Sequence, residues 1–537
     1  WLLDPKDFTI SSGGDITGAT LSGQITAGNT VEVLNTSGAS GTAGNININD
    51  SLSWSNTGTL KLTAAGGVTG SGGIDMTGGG TVIFNQAGTT TYAGVISGNG
   101  NVTKQGAGAV TFSAGQTYTG TTTITSGSIE FDGAIASSAI SLNTGSVMFF
   151  TANSGSRTVA SNISGSGNMD LIGFLSTYTL TGDHTNYSGI TKLENNTAVL
   201  GSSSTLGSGN IWLVGRTGLT YTAQNSVDYS SRLTASNSTI LTVDTGGQNV
   251  TWTGAPFNST NSALIKNGTG TLLLSGANQW QGLSSPATRG LTINAGTLEL
   301  SGSSITVGNG ITNNGTLTFN SSSAISIGSR ISGSGVLIKS GTGDLTLSSG
   351  NDYYGGTRIL AGNLIANGTS GTILPTLGSI GTISFEGGTL KYTSTNDMTD
   401  YSSRFSRIDG KGYRFDIGSS DGPVWATALT DSGISTTSAT LTKLGSGPLY
   451  LTGNNTYTGT TTVSAGKLYL GNDTTTGSVA GNIVLASAST FLYVKRNGSF
   501  ELSNNITGST ASIAGNLVVN MTNPNDVVTL SGSNVFN

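Results

Sequence analysis

Histidine occurs once in this chain, at His184 within Gly182-Asp183-His184-Thr185, and cysteine does not occur at all. A catalytic imidazole needs a second group to orient it or to receive its proton. No Ser or Asp partner is evident around His184, which reads as a surface histidine in a loop. Without cysteine there are no thiolate zinc sites, no iron–sulfur clusters and no disulfides. The 26 acidic residues are scattered over 537 positions. Polysaccharide hydrolases and lyases need clustered carboxylates, often with Arg or Lys, and no Asp/Glu cluster recurs here. Calcium-binding repeats of the Gly-Gly-x-Gly-x-Asp type are not repeated either. No catalytic residue, metal ligand or cofactor site is assigned; the expectation is a protein that is not an enzyme and uses no cofactor.

The residues left for function are those that could touch a ligand. Charge is densest at Arg404, Arg407, Asp409, Lys411, Arg414 and Asp416. That cluster is either an interaction patch or a solvated, self-paired loop, and isolated surface pairs favour the second reading. Four lysines, Lys104, Lys266, Lys339 and Lys443, recur in one motif. They read as an outward repeat position rather than a phosphate site. Aromatic residues recur in the same motif: Tyr118, Trp280, Tyr353 and Tyr457, with Tyr187 in a degenerate copy. They could stack on sugars, but a fixed phase favours packing inside the repeat. The stronger contact candidates break the pattern. Tyr354 follows Tyr353 directly, and an insertion from Gln281 to Arg289 follows Trp280. Loops on a rigid scaffold often carry function. The ligand-binding candidates are therefore Trp280, Gln281, Arg289, Tyr353, Tyr354, Arg404, Arg407, Lys411 and Arg414.

The elements that would carry them are short. Glycine supplies 84 of 537 residues and charged residues only 9%, against about 7% and 25% in ordinary globular chains. Runs such as Gly58-Thr59-Leu60-Lys61-Leu62, Gly315-Thr316-Leu317-Thr318-Phe319 and Ile483-Val484-Leu485 alternate with period two and end at Gly, Asn or Ser. Four segments share one grammar. Each aromatic follows its lysine by fourteen positions, and a glycine follows nine later at Gly127, Gly362 and Gly466; the copy with the insertion after Trp280 reaches Gly296 instead. The degenerate copy has Asn196 there, which predicts a turn of positive φ. Partial copies surround Tyr92 and begin at Leu530. Residues 205–276 and 376–453 also match, both with Thr-Leu-Gly-Ser and Asp-Tyr-Ser-Ser-Arg, as an internal duplication.

Short strands with glycine-marked corners predict an all-β chain folded as an elongated parallel β-helix, expected right-handed. At about 20–24 residues per coil it makes roughly 24 coils, a rod on the order of 110 Å long at about 4.8 Å per coil. Leu, Ile, Val and Phe face inward; Thr, Ser and Asn face outward and form ladders. Thin coils need glycine at corners, proline cannot join the ladder, and stacked like charges repel. The net charge of −5 gives no case for nucleic acid. No run of about 20 apolar residues suggests a transmembrane helix.

Two features resemble a known family. The opening Trp1-Leu2-Leu3-Asp4-Pro5-Lys6-Asp7-Phe8-Thr9-Ile10 and the stretch Asn45 to Trp54, followed by Gly58 to Leu62, are similar to the segment after the secretion domain of filamentous-haemagglutinin-like, two-partner-secretion exoproteins. The Lys–Tyr–Gly motif resembles the autotransporter-associated β-strand repeat of passenger domains. The resemblance implies a secreted or surface adhesin of a Gram-negative bacterium, exported through an outer-membrane β-barrel transporter and attaching to cells, matrix or glycans. It divides the chain into N-terminal coils (1–100) after a missing secretion domain, and a repeat-bearing β-helix (101–537) cut within a repeat. The Asn-Pro-Asn-Gly type secretion signature has only Asn523-Pro524-Asn525-Asp526 near it. A chain beginning at Trp1 without a signal peptide reads as processed or a fragment. Lack of cysteine suits threading through an oxidising periplasm. A toxin passenger is the alternative, with Met148-Phe149-Phe150 as its one modest apolar segment, and a polysaccharide-processing enzyme is the less favoured one. Asn-x-Ser/Thr sequons, as at Asn101 and Asn237, would permit glycosylation.

Overall fold

Alternation of one inward and one outward residue, repeated between glycine corners, leaves the chain no way to bury its apolar face except against the next copy of itself. A computed structural model describes residues 7–36, 43–152, 155–257, 261–280, 290–368, 376–393, 398–408, 410–418, 420–431, 437–508 and 515–535. Residues 1–250 and 251–537 form two compact units. Both are parallel β-solenoids, together about 20 turns. The paired strands among the described residues run parallel, as in Ile74↔Ile96 or Leu468↔Leu492. The coil is less uniform than its repeat suggests. The register advances 19 residues from Ile129 to Met148 but 28 from Tyr413 to Leu441, because loops of different length close the same strands.

In the first unit a seven-stranded sheet runs from Thr30–Asn35 to Asn162–Gly165. Its inward rows are continuous: Leu62, Phe84 and Lys104 lie side by side, as do Phe112, Phe131 and Phe150 on the opposite sheet. The last three rings sit 5.6 and 5.7 Å apart, each such pair contributing about 0.5–1.5 kcal/mol beyond its buried area. Met148 and Phe150 are therefore core residues of an ordinary strand. One short helix, Gly18–Gln24, was not foreseen. Thr17 caps it by accepting from the Thr20 amide at 3.2 Å, and Leu21 anchors it in the core.

In the second unit an eight-stranded, a nine-stranded and a five-stranded sheet form the faces. Phe385, Phe405, Phe415 and Trp425 cluster inside it with centroids 4.3–5.4 Å apart. The two Asp-Tyr-Ser-Ser-Arg segments, one in each unit, fold alike. Each makes a single 3-10 turn, Ser230–Arg232 or Ser402–Arg404, with the Asp carboxylate accepting the Ser amide at 2.8 Å. Each then turns its arginine onto the preceding coil: Arg232 donates to Leu206 O and Gly207 O, Arg404 to Leu377 O and Gly378 O.

The motif corner corrects two expectations. The recurring lysines do not face outward. Lys104, Lys266, Lys339 and Lys443 are buried, and each ammonium donates to carbonyls at the corner that follows it. Three of them also reach the carbonyl just before the motif glycine of the next coil: Lys266 to Ala295 O at 3.3 Å, Lys339 to Ala361 O at 3.1 Å and Lys443 to Ala465 O at 3.1 Å. The interval from lysine to glycine is thus one coil plus one corner. The motif glycines take φ of +62 to +69°. In the degenerate copy the left-handed residue is Asn195, not Asn196. Asn196 is buried instead, its amide donating to Leu171 O and Glu194 O.

Candidate functional site

The sequence candidates separate by burial. Trp280 and Tyr353 are 0% exposed, as are Tyr118, Tyr187 and Tyr457. Tyr118, Tyr353 and Tyr457 each bond the hydroxyl of the threonine four residues on, at 2.6, 2.7 and 2.6 Å. Burial pushes the Tyr353 phenol up to about 12. These rings are core pieces, so Trp280 and Tyr353 are withdrawn as contact residues. Gln281, Arg289 and Asp409 lie outside the described residues. Tyr354 is 52% exposed.

The charged cluster is not one patch. Arg407 is buried, donating to Thr437 O at 2.7 Å and to Ile408 O and Lys411 O, with the Asp431 carboxylate 3.6 Å away. Arg404 spends its guanidinium on four carbonyls of the preceding coil and lies over the Tyr401 ring at 5.6 Å. Burial lowers its pKa. A guanidinium can reach several backbone acceptors at once, and here that geometry staples coils. Among the described members of the cluster only Lys411 is exposed, and Arg414 is half-buried. His184 is buried too, against expectation. Its Nδ1 lies 2.5 Å from Thr205 O and its Nε2 3.2 Å from Ser161 O, on the coils to either side, and burial lowers its pKa. No group of three or more His, Asp or Glu residues is placed to hold a metal among the described residues.

Two further features lie outside the candidates named from the sequence. The residue two before each motif aromatic is an amide: Gln116, Asn278, Asn351 and Asn455. Asn455 donates to Gly453 O and Ser478 O and accepts the Leu429 amide, so one side chain ties three coils. Asn351 does the same with Ile331, Ser349 and Thr376, while Gln116 accepts the Ile96 amide and donates to Gly94 O and Ala114 O, tying two coils.

The second is on the outside of the five-stranded sheet. Strands Pro448–Leu451, Lys467–Thr474 and Phe491–Arg496 pair in register, aligning Tyr450, Tyr469 and Tyr493. In each strand the tyrosine stands between two buried aliphatics, Leu449/Leu451, Leu468/Leu470 and Leu492/Val494, so period two turns it outward. Successive rings are 4.4 Å apart, tilted by 21° and 10°. Phe491 adds a fourth ring 6.0 Å from Tyr493. Val424 and Val518 continue the row at its two ends. Lys495 flanks it, paired with Asp473 at 2.8 Å. Burial, then the neighbouring phenols, raise the Tyr469 pKa. On a surface of Thr, Ser and Asn this is a strip of aromatic edges and neutral phenol hydroxyls, able to donate and accept hydrogen bonds.

Comparison with known proteins matches the corner geometry. Residues 102–130, 264–300, 337–366 and 441–478 match the passenger-associated-transport-repeat family model. Each stretch contains one complete lysine–aromatic–glycine unit. Over 137 residues the chain is 36% identical to the adhesin BmaC autotransporter of Brucella suis biovar 1 (strain 1330), covering 24% of this chain and 4% of that protein. No solved structure matches the chain. Each of the four buried motif lysines thus lies in a passenger-associated-transport repeat, and the chain is a parallel β-solenoid that carries these repeats and is similar, over 24% of its length, to an autotransporter adhesin.

Proposed function

We propose that the chain is an adhesin: an exported passenger that reaches the surface or the medium of a Gram-negative cell through an outer-membrane β-barrel and attaches to cell-surface or matrix glycans without converting them. The observation that carries this reading is the outward tyrosine strip, a contact face on a scaffold whose motif lysines, imidazole and core-facing arginines are spent on its own backbone. Phenol hydroxyls and aromatic edges suit a hydroxyl-rich polymer, and aromatic side chains contribute large contact area at low entropic cost. Tyr354 and Lys411 are secondary contact candidates on the same argument of exposure. Among the described residues no helix is long and apolar enough to cross a membrane.

The test is a glycan array and a cell-binding assay run beside a turnover assay. Wild type is expected to bind without releasing product. The triple variant Tyr450→Ala, Tyr469→Ala, Tyr493→Ala is expected to lose at least tenfold in apparent affinity while keeping its β-sheet circular dichroism. Product release, or undiminished binding by the triple variant, would overturn the reading.

A further inference from the structure

Eleven of the fifteen tyrosines are buried, and the four that reach solvent are Tyr354, Tyr450, Tyr469 and Tyr493. Tyr354 stands apart, since its neighbour Tyr353 is enclosed in the core. The other three form one column with centroids 4.4 Å apart and nearly parallel planes. Both links of that column join consecutive coils, through the register pairs Tyr450↔Tyr469 and Tyr469↔Tyr493. The chain has no cysteine, so nothing else in it can tie one coil to another by a disulfide.

We propose that the column is an oxidative cross-linking site, at which Tyr469 couples to Tyr450 or Tyr493 as dityrosine when hydrogen peroxide and a haem peroxidase supply the oxidant. The peroxidase takes one electron from each of two adjacent phenols, and each phenol releases its hydroxyl proton. Each resulting radical is shared between the oxygen and the ring carbons beside it. The two unpaired electrons form one carbon–carbon bond between rings at those carbons. The hydrogen on each bonded carbon then leaves as a proton and each oxygen is reprotonated, restoring two phenols. One peroxide takes up the two electrons and two protons and becomes two waters, so the protein loses two hydrogens per link.

Geometry makes this column the preferred place. Phenoxyl coupling needs two rings in contact, and the paired strands hold each ring against its partner before oxidation, which turns an encounter into an intramolecular step. Half-exposure leaves the outer ring edges open to solvent and lets the rings tilt toward one another. The link closes a loop of one coil, so it removes conformational freedom from the unfolded chain as a disulfide does. It does not depend on what the strip binds.

The experiment exposes dilute protein to horseradish-type haem peroxidase and hydrogen peroxide. It reads dityrosine fluorescence, intact mass, size-exclusion behaviour and proteolytic peptide maps. Wild type is expected to gain dityrosine fluorescence as a monomer, to lose two hydrogens in mass, and to show a linked peptide pair containing Tyr469. Its thermal midpoint rises after linkage. Tyr469→Phe keeps the ring stack but separates the two remaining phenols by a full rung, and is expected to cut monomer dityrosine at least tenfold. Tyr354→Phe leaves the yield unchanged. The proposal is overturned if the monomer acquires no dityrosine while added free tyrosine couples. It is equally overturned if Tyr469→Phe yields as much as wild type, or if all links lie between molecules.

Discussion

A lysine ammonium buried among backbone carbonyls recurs at four corners of this solenoid. Lys443 donates to Leu444 O at 2.8 Å, Gly445 O at 2.7 Å and Ala465 O at 3.1 Å. Replacing it by methionine keeps the apolar stem and strands three corner carbonyls. Unmade buried bonds cost about 1–3 kcal/mol, so Lys443→Met should lower unfolding free energy by that order in urea titrations at pH 7. The same burial gives a pH signature. Desolvation pushes Lys104 and Lys443 down to about 8 in the folded chain, against about 10.4 unfolded. Between those values the unfolded chain holds protons that the folded chain has released, so stability rises with pH across that window. Buried tyrosines act oppositely. Burial raises Tyr178 and Tyr353 to about 12, so above about 10 the unfolded chain loses protons that the folded one keeps, and stability falls. Urea midpoints measured from pH 7 to 11 should therefore climb above 8 and turn over past 10, and Lys443→Met should flatten the climb. None of this was legible from residue type. A lysine at a fixed phase fits an exposed repeat position equally well, and only the corner carbonyls reveal why it points inward.

At the scale of one coil, the corner glycine is the element that sets where a strand ends. Gly466 holds φ of +69°, and a Cβ built on it would meet Ser446 O at 2.5 Å and Gly445 O at 2.6 Å. Backbone cannot yield there as a flexible side chain could. Left-handed strain in a non-glycine residue costs about 1–3 kcal/mol, and the close approach adds to it. Gly466→Ala should destabilise the protein by more than 2 kcal/mol on that scale, while Gly498→Ala, with φ of +83° and nothing within 4 Å, should cost less. Thermal melts of the two variants compare them directly. The need for glycine here was legible from its recurrence nine residues after the aromatic. The tyrosine strip was legible too, since Leu-Tyr-Leu at 449–451 and 468–470 already turns the ring away from the core. It went unread because Tyr450, Tyr469 and Tyr493 are not motif aromatics, and their alignment depends on register rather than on spacing.

Within each unit a coil packs chiefly on the coils before and after it, so stability is close to a sum of coil and interface terms. A lesion then stays local. Hydrogen exchange on Gly466→Ala should accelerate in Pro448–Leu451, Lys467–Thr474 and neighbouring strands, while protection in the strands of residues 7–250 stays within twofold of wild type. A uniform loss of protection would show instead that the solenoid unfolds as one cooperative block.

Two things were settled by composition and periodicity alone. Glycine corners, period-two strands and scarce charge admit a parallel solenoid and little else, because such a chain can bury its apolar rows only coil on coil. The recurrence of the aromatic at one phase likewise places it in the core, as Tyr118, Tyr353 and Tyr457 are. Tertiary structure decided which polar groups the protein presents and which it consumes. Arg404, Arg407, His184 and the motif lysines look like surface chemistry in one dimension. In three they neutralise carbonyls that tight corners strand away from water, since a buried acceptor must find a donor. Among what it presents is the tyrosine column, and stacking three strands in register is what makes it a column.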